Sequence, residues 1–226
     1  MISKITDFLK KYSHGFWILA YMIFYLTGFA ILENAGHRHY HIIHSFIDDM
    51  IPFCEFFVIP YFLWFAYCFL GILWFIFKCE DRREYDQLVS ALAIGMTVFL
   101  VVSCIFPNAQ DLRPTVFTRD NIFVTMVKGL YATDTATNVL PSIHVYNSVI
   151  LFLAFNSCRQ LRKKKVLRAS IGVLTVLIVL STMFLKQHSV VDVSLGLLMS
   201  AAVQMFCERV FRGEEAGYRR ENVTRV

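Results

Sequence analysis

In the stretch STMFLKQHSVVDV (181–193), His188 and Asp192 stand four residues apart. On a helix that spacing gives them one face, a turn apart. A carboxylate bonded to one imidazole nitrogen fixes the tautomer and frees the other nitrogen as a nucleophile or base. A purely structural His–Asp link between helices has the same spacing. Upstream, LPSIH (140–144) sets Pro141 in what reads as the first turn of a helix, which would aim free backbone N–H groups and the Ser142 hydroxyl at an anion, with His144 in the same turn. The plain alternative is a helix start wetted by a histidine. In DLRP (111–114), Arg113 carries a fixed fork of donors that matches phosphate oxygens, or is an ordinary loop arginine. Lys186 either adds a second positive charge near His188 or snorkels to an interface.

The elements that must carry these residues are apolar. The 226-residue chain is 57% hydrophobic and 17% charged, outside the range of ordinary soluble domains. Residues 15–32, 56–77 and 87–106 hold no charge, and each approaches the ~20 residues a helix needs to cross a bilayer. Three further apolar runs lie at 143–157, 169–185 and 189–207. The expected fold is therefore all-α: a polytopic integral membrane protein with six transmembrane helices in a bundle. Ile2, Ile5, Phe8, Leu9 and Tyr12 share one helical face, so 1–14 is expected as an N-terminal interfacial helix. The division is then 1–14, a six-helix unit over 15–207, and a solvated cytoplasmic tail over 208–226, with no cleavable signal. The six cysteines lie in or beside the spans without metal-like pairing and read as packing thiols.

With a cytoplasmic N-terminus, segments 1–14, 78–86, 158–168 and 208–226 face inward and carry three, three, six and five basic residues, 17 of the 22 Lys and Arg. The net charge of +5 then belongs to topology and anionic headgroups, so the bilayer is the expected partner and nucleic acid is not. Both termini are cytoplasmic on this scheme. By parity Arg113, Ser142, His144, Lys186, His188 and Asp192 all meet the opposite, extracytoplasmic face. Ionisable groups at that depth are costly and mark a functional site.

Together the three stretches resemble the type-2 phosphatidic-acid phosphatase superfamily, whose signature is Lys-x6-Arg-Pro, then Pro-Ser-x-His, then Ser-Arg-x5-His-x3-Asp. Arg113-Pro114, Pro141-Ser142-Ile143-His144 and His188-x3-Asp192 match in order, over roughly residues 54–207. Two family cations are absent: the lysine position is Phe106 and the arginine position is Thr182. The version LKQHSVVDV is closer to the branch of inositol phosphorylceramide and sphingomyelin synthases, and DDMIPFCEFFVIPYFLW (48–64) is similar to the start of that branch's second span. The resemblance implies an enzyme: a lipid-phosphate phosphatase working through a phosphohistidine on His188, oriented by Asp192. His144 would be the acid, and Arg113, Ser142 and Lys186 would hold the phosphate, with no cofactor and no metal. Phosphatidic acid, phosphatidylglycerophosphate and a polyprenyl pyrophosphate are the implied substrates. A lipid phosphotransferase is the alternative, and a non-catalytic lipid-binding descendant a third.

A rival site runs through HRHYHIIHSFIDD, where His37, His41, His44 and Asp48 fall at helical spacing on the same side and offer zinc-type ligands. As an interfacial helix, the segment would serve as a lip over the site. A transporter would more typically carry charges at mid-span or broken helices in paired halves, and neither pattern occurs.

Overall fold

The computed structural model describes residues 11–35 and 39–224. Its helices are α1 (Gly15–Glu33), α2 (Phe46–Met50), α3 (Val58–Lys78), α4 (Arg82–Ile105), α5 (Ile122–Thr133), α6 (Ile143–Ser157), α7 (Lys165–Phe184) and α8 (Val190–Thr224). Two-residue strands β1 (His41–Ile42) and β2 (Asn108–Ala109) pair in parallel. The protein is thus an all-α membrane protein. Among the described residues five helices are long and apolar enough to cross a bilayer, counting α3 from Glu55 and α8 to Phe211; α6, with 15 residues, is shorter. Side chains such as Trp17 (73% exposed) and Phe69 (63%) point outward from the bundle, as lipid-facing residues do and core residues of a soluble protein do not.

Local chemistry sets the helix ends. Asp81 caps α4 by accepting from Arg83 N, and Asn121 caps α5 by accepting from Val124 N. Helix α4 stops at Phe106, the residue before Pro107, where the proline ring disfavours further helical backbone. Helix α7 closes in a Schellman motif: Lys186 N donates to Met183 O and Gln187 N to Thr182 O, with Lys186 in the left-handed region at φ 54°. That position usually falls to glycine.

At the centre, α6 packs against α3, α4, α7 and α8. Lipid tails are as apolar as leucine, so close backbone approach and interhelical hydrogen bonds hold such a bundle. Tyr146 of α6 lies flat over Gly95 of α4, where an added Cβ would meet the ring at 2.0 Å, and its hydroxyl donates to Ala91 O at 2.6 Å. At one end of the bundle, Tyr85 donates to His14 O and Arg159 N donates to Glu84, so the start of α1, the α3–α4 turn and the basic α6–α7 turn share a face. Everything between α4 and α6 folds back over the other end.

Two expectations change. Residues 39–45 do not form a helix: His41 N donates to Pro107 O and Ile43 N to Ala109 O, so the segment is extended from His39 to Ser45 and helix begins only at Phe46. His37 lies outside the described residues, as do residues 1–10 of the expected interfacial helix. Helix α8 continues past 207 to Thr224 instead of ending where the tail was expected.

Candidate active site

The site is built from four chain segments at the end of the bundle opposite the basic turn. The turn after α7 carries His188. Its placement comes from backbone, since Thr182 O accepts both Gln187 N and His188 N, and Tyr131 of α5 donates to Leu185 O at 2.6 Å. Ser189 and Asp192 then open α8 together: Ser189 Oγ accepts Val191 N and Asp192 Oδ2 accepts Ser189 N at 2.9 Å. The expected one-face relation of His188 and Asp192 is therefore replaced by a helix-capping one, with His188 just outside the helix. The two still meet. His188 Nδ1 lies 3.4 Å from Asp192 Oδ2, a close contact without hydrogen-bond alignment, with Asp192 fully buried and His188 7% exposed.

The second segment begins α6. Its N-cap is Ser142, whose Oγ accepts Val145 N, so Pro141 precedes the cap and is outside the first turn. Ser142 N donates to Asp192 O at 3.1 Å, which ties the starts of α6 and α8 directly. The approach is close enough that a Cβ on Gly196 of α8 would stand 2.9 Å from Ser142 O. This contact delivers His144 to His188: Nδ1 and Nε2 are 3.4 Å apart. Tyr61 and Trp64 of α3 flank the His144 ring at 4.9 and 4.2 Å between centroids.

The third segment is the 107–140 connection. Buried Asn108 organises it, accepting Val139 N and Leu140 N on Oδ1 while donating from Nδ2 to Phe106 O. Arg113 stacks on Tyr131 with its guanidinium 4.6 Å from the ring centre and donates to Tyr131 O, Thr135 O and Gln187 Oε1 (2.5 Å). Burial lowers its pKa, opposed first by Asp134, and the group stays cationic. Its Nε is buried without a hydrogen-bond partner.

The fourth segment is α2 and its cap. Asp48, 2% exposed, accepts Ser189 Oγ on Oδ2 at 2.6 Å and Val190 N on Oδ1 at 2.8 Å, and Oδ2 also takes Ser45 N. Lys186 turns the same way and donates to Asp48 O at 2.6 Å; burial lowers its ammonium pKa, against the pull of Asp48 and Asp49.

Of the six site residues expected from sequence, His188, Asp192 and His144 are thus brought together. Arg113 stands beside them behind Gln187, Ser142 is spent on the cap of α6, and Lys186 faces α2. At the positions of the missing cations, Phe106 stacks on His41 at 4.5 Å and the Thr182 hydroxyl donates to Val179 O. The rival histidine stripe disperses: His41 lies on Phe106, His44 pairs with Asp49 and Asp111, and Asp48 serves the His188 turn. Gln187 and Asn108 were missed, and Asp48 was read as a member of the rival stripe and not as a support of the His188 turn. For Asp48 a signal existed, because Ser45-x-x-Asp48 is a capping-box pattern, and that box is formed.

Both imidazoles open into a cavity of about 350 Å³ whose polar side holds Asp134, Thr135, Thr137, Asn138 and Gln187 and whose other walls are mainly aromatic and aliphatic. It adjoins a second cavity of about 320 Å³ between α1 and α3, and the two share Tyr25, Leu26, Trp64, Phe65 and Ile143. One end thus suits a charged group and the other a hydrocarbon chain. The family model described as the PAP2 superfamily matches residues 87–214, more than half of the chain and inclusive of Arg113, His144, His188 and Asp192. No curated protein and no solved structure matches. A histidine pair backed by a buried aspartate, in a membrane bundle that this model covers from α4 into α8, places the chain in the type-2 phosphatidic-acid phosphatase superfamily.

Proposed function

We propose that this protein dephosphorylates a membrane lipid through a phosphohistidine on His188, without a metal in the reaction. The observation that carries the reading is the 3.4 Å approach of His188 Nε2 to His144 Nδ1, with Asp192 behind His188 and a cavity in front. Asp192 favours the tautomer with the proton on His188 Nδ1, which leaves the Nε2 lone pair free. In the resting site His144 Nδ1 stands against that lone pair at 3.4 Å, and the rings must part to admit a phosphate. Nε2 then attacks phosphorus. An N–P bond forms, and the P–O bond to the lipid breaks as the departing oxygen takes a proton from His144 in its imidazolium form, which leaves the neutral ring. Neutral His144 next accepts a proton from water, whose oxygen displaces His188 and releases phosphate. Arg113, held beside Gln187, supports the charge on the equatorial oxygens.

A second reading has its own support. The polar end of the cavity is lined by threonines, amides and a carboxylate, and the family cations at 106 and 182 are absent. Such a lining suits a lipid alcohol or polyol that replaces water as the acceptor, which makes the enzyme a phosphotransferase.

Purified protein in detergent, offered phosphatidic acid, phosphatidylglycerophosphate, a polyprenyl pyrophosphate and a ceramide phospholipid, tests both. Phosphate release that survives EDTA and an acid-labile phosphoprotein absent from His188→Asn are expected. His144→Ala should slow turnover by about 10²–10⁴-fold. Wild-type rates in either variant would overturn the assignment. Diversion of label from free phosphate into an ester on addition of inositol selects the transferase.

A further inference from the structure

At the opposite end of the bundle, three metal-ligating groups from three helix ends converge. Cys79 follows the last turn of α3, Cys158 follows the last turn of α6, and Glu84 lies in the first turn of α4. Their ligand atoms all lie within 4.8 Å of one another. In sequence the two thiols are far apart and look like packing residues; only the fold brings them together.

We infer that Cys79, Glu84 and Cys158 form a binding site for a zinc-type divalent cation that braces the three helix ends. The donor set decides the metal class. Two thiolates select a borderline-soft cation over magnesium or calcium, and two sulfurs with one carboxylate leave the fourth tetrahedral position for water. Binding is a displacement: the cation takes Cys79 Sγ, Cys158 Sγ and Glu84 Oε2, and the two thiol protons leave to solvent.

The surroundings suit that exchange. Arg159 N donates to Glu84 Oε1 at 2.9 Å, which orients the carboxylate and keeps Oε2 turned to Cys79. Cys79 presents its sulfur to Asp81 O and Glu84 Oε2 at 3.4 and 3.7 Å, both contacts that a cation would replace or strengthen. The C-terminal ends of α3 and α6 point partial negative charge at the site, which favours a cation there. Two thiolates, a carboxylate and a divalent ion sum to one negative charge, and Arg159, 3.6 Å from Asp81, stands ready to balance it. Cys158 is fully buried, but Glu84 lines an open cavity of about 380 Å³ with Asp81 and Arg159, so an ion has a way in.

Cobalt(II) titration of the full chain in detergent micelles, with a phosphine reductant present, tests this. One equivalent per chain should develop intense sulfur-to-cobalt charge-transfer absorption, and zinc should bleach it stoichiometrically. Cys79→Ser and Cys158→Ser should each abolish the thiolate band, whereas Glu84→Gln should keep it and weaken binding by at least about tenfold. Circular dichroism and elution volume establish that each variant is folded. Cys79 is only half-buried, so its variant carries the test should the Cys158 variant fail to fold. Absence of the band in the wild type, or its persistence in Cys79→Ser, overturns the site. Because the readout is a spectrum at the basic end of the bundle, it stands or falls apart from phosphate release.

Discussion

Asp48 is a buried carboxylate whose two oxygens both accept hydrogen bonds: Ser189 Oγ and Ser45 N on one, Val190 N on the other. It fixes the turn that follows His188, so its charge acts on the chemistry through position. Asparagine would fill the same volume but present an amide donor to one of those donors. A buried donor left unmatched costs about 1–3 kcal/mol. A nucleophile displaced by about 1 Å loses on the order of 10² in rate. Asp48→Asn is therefore expected to lower kcat about 10²-fold with little change in KM, and a wild-type kcat from folded protein would refute the positioning role. His44 links the same segment to the 107–140 connection through Asp111 and Asp49. Its pKa is raised above 6.5, first by the hydrogen bond to Asp111. A raised folded-state value means the contact helps below the unfolded value and is lost as pH rises through the folded one. Hydrogen exchange in 39–50 and 108–113 should therefore accelerate across that interval, beyond the intrinsic effect of pH. In His44→Gln that extra acceleration should vanish.

Three helix starts carry the site, and each depends on contacts between elements. Helix α6 can hold His144 against His188 only because α8 presents Gly196 under Ser142 O, with no Cβ between them. Gly196→Ala is expected to insert and fold, because alanine suits helix interiors better than glycine. It should nonetheless push the start of α6 from α8 and cut turnover about tenfold or more through misalignment of the imidazoles. Unchanged kinetics would show that the approach has slack. This dependence on pairs of elements explains what the sequence made legible. The long apolar runs announced six spanning helices, because burial in lipid demands continuous apolarity, and five of them are long enough to cross while α6 is shorter. His144 and His188 were legible from their motifs. The roles of Ser142 and Lys186 were not, because both depend on where a turn places a side chain: Ser142 inside its own helix cap, Lys186 in a left-handed residue that aims it at α2. The 107–140 connection was illegible for another reason. Its shape rests on one buried amide, Asn108, bonded to residues about 30 positions away, and no periodicity records such a contact.

On the scale of the whole molecule, polar work is divided between two ends and the wall between α1 and α3 is left apolar and grooved. The groove and the histidine-lined cavity meet at Tyr25, Leu26, Trp64, Phe65 and Ile143, and on the proposed function a lipid keeps its chains at bilayer depth while its phosphate reaches the histidines. Leu26 is 55% exposed on α1 yet lines both cavities, which makes it the residue to enlarge. Tryptophan there would narrow the passage without touching His144, His188 or the cap of α6. A substrate with long acyl chains must thread the groove, whereas a short-chain or water-soluble phosphate ester needs only the polar end. Leu26→Trp is therefore expected to raise KM for long-chain lipid phosphate several-fold and to leave kcat/KM for the short-chain ester unchanged. Equal losses on both substrates would mean that the substitution disturbs the catalytic cavity itself. No loss on either would mean that lipid arrives by a path that does not run between α1 and α3.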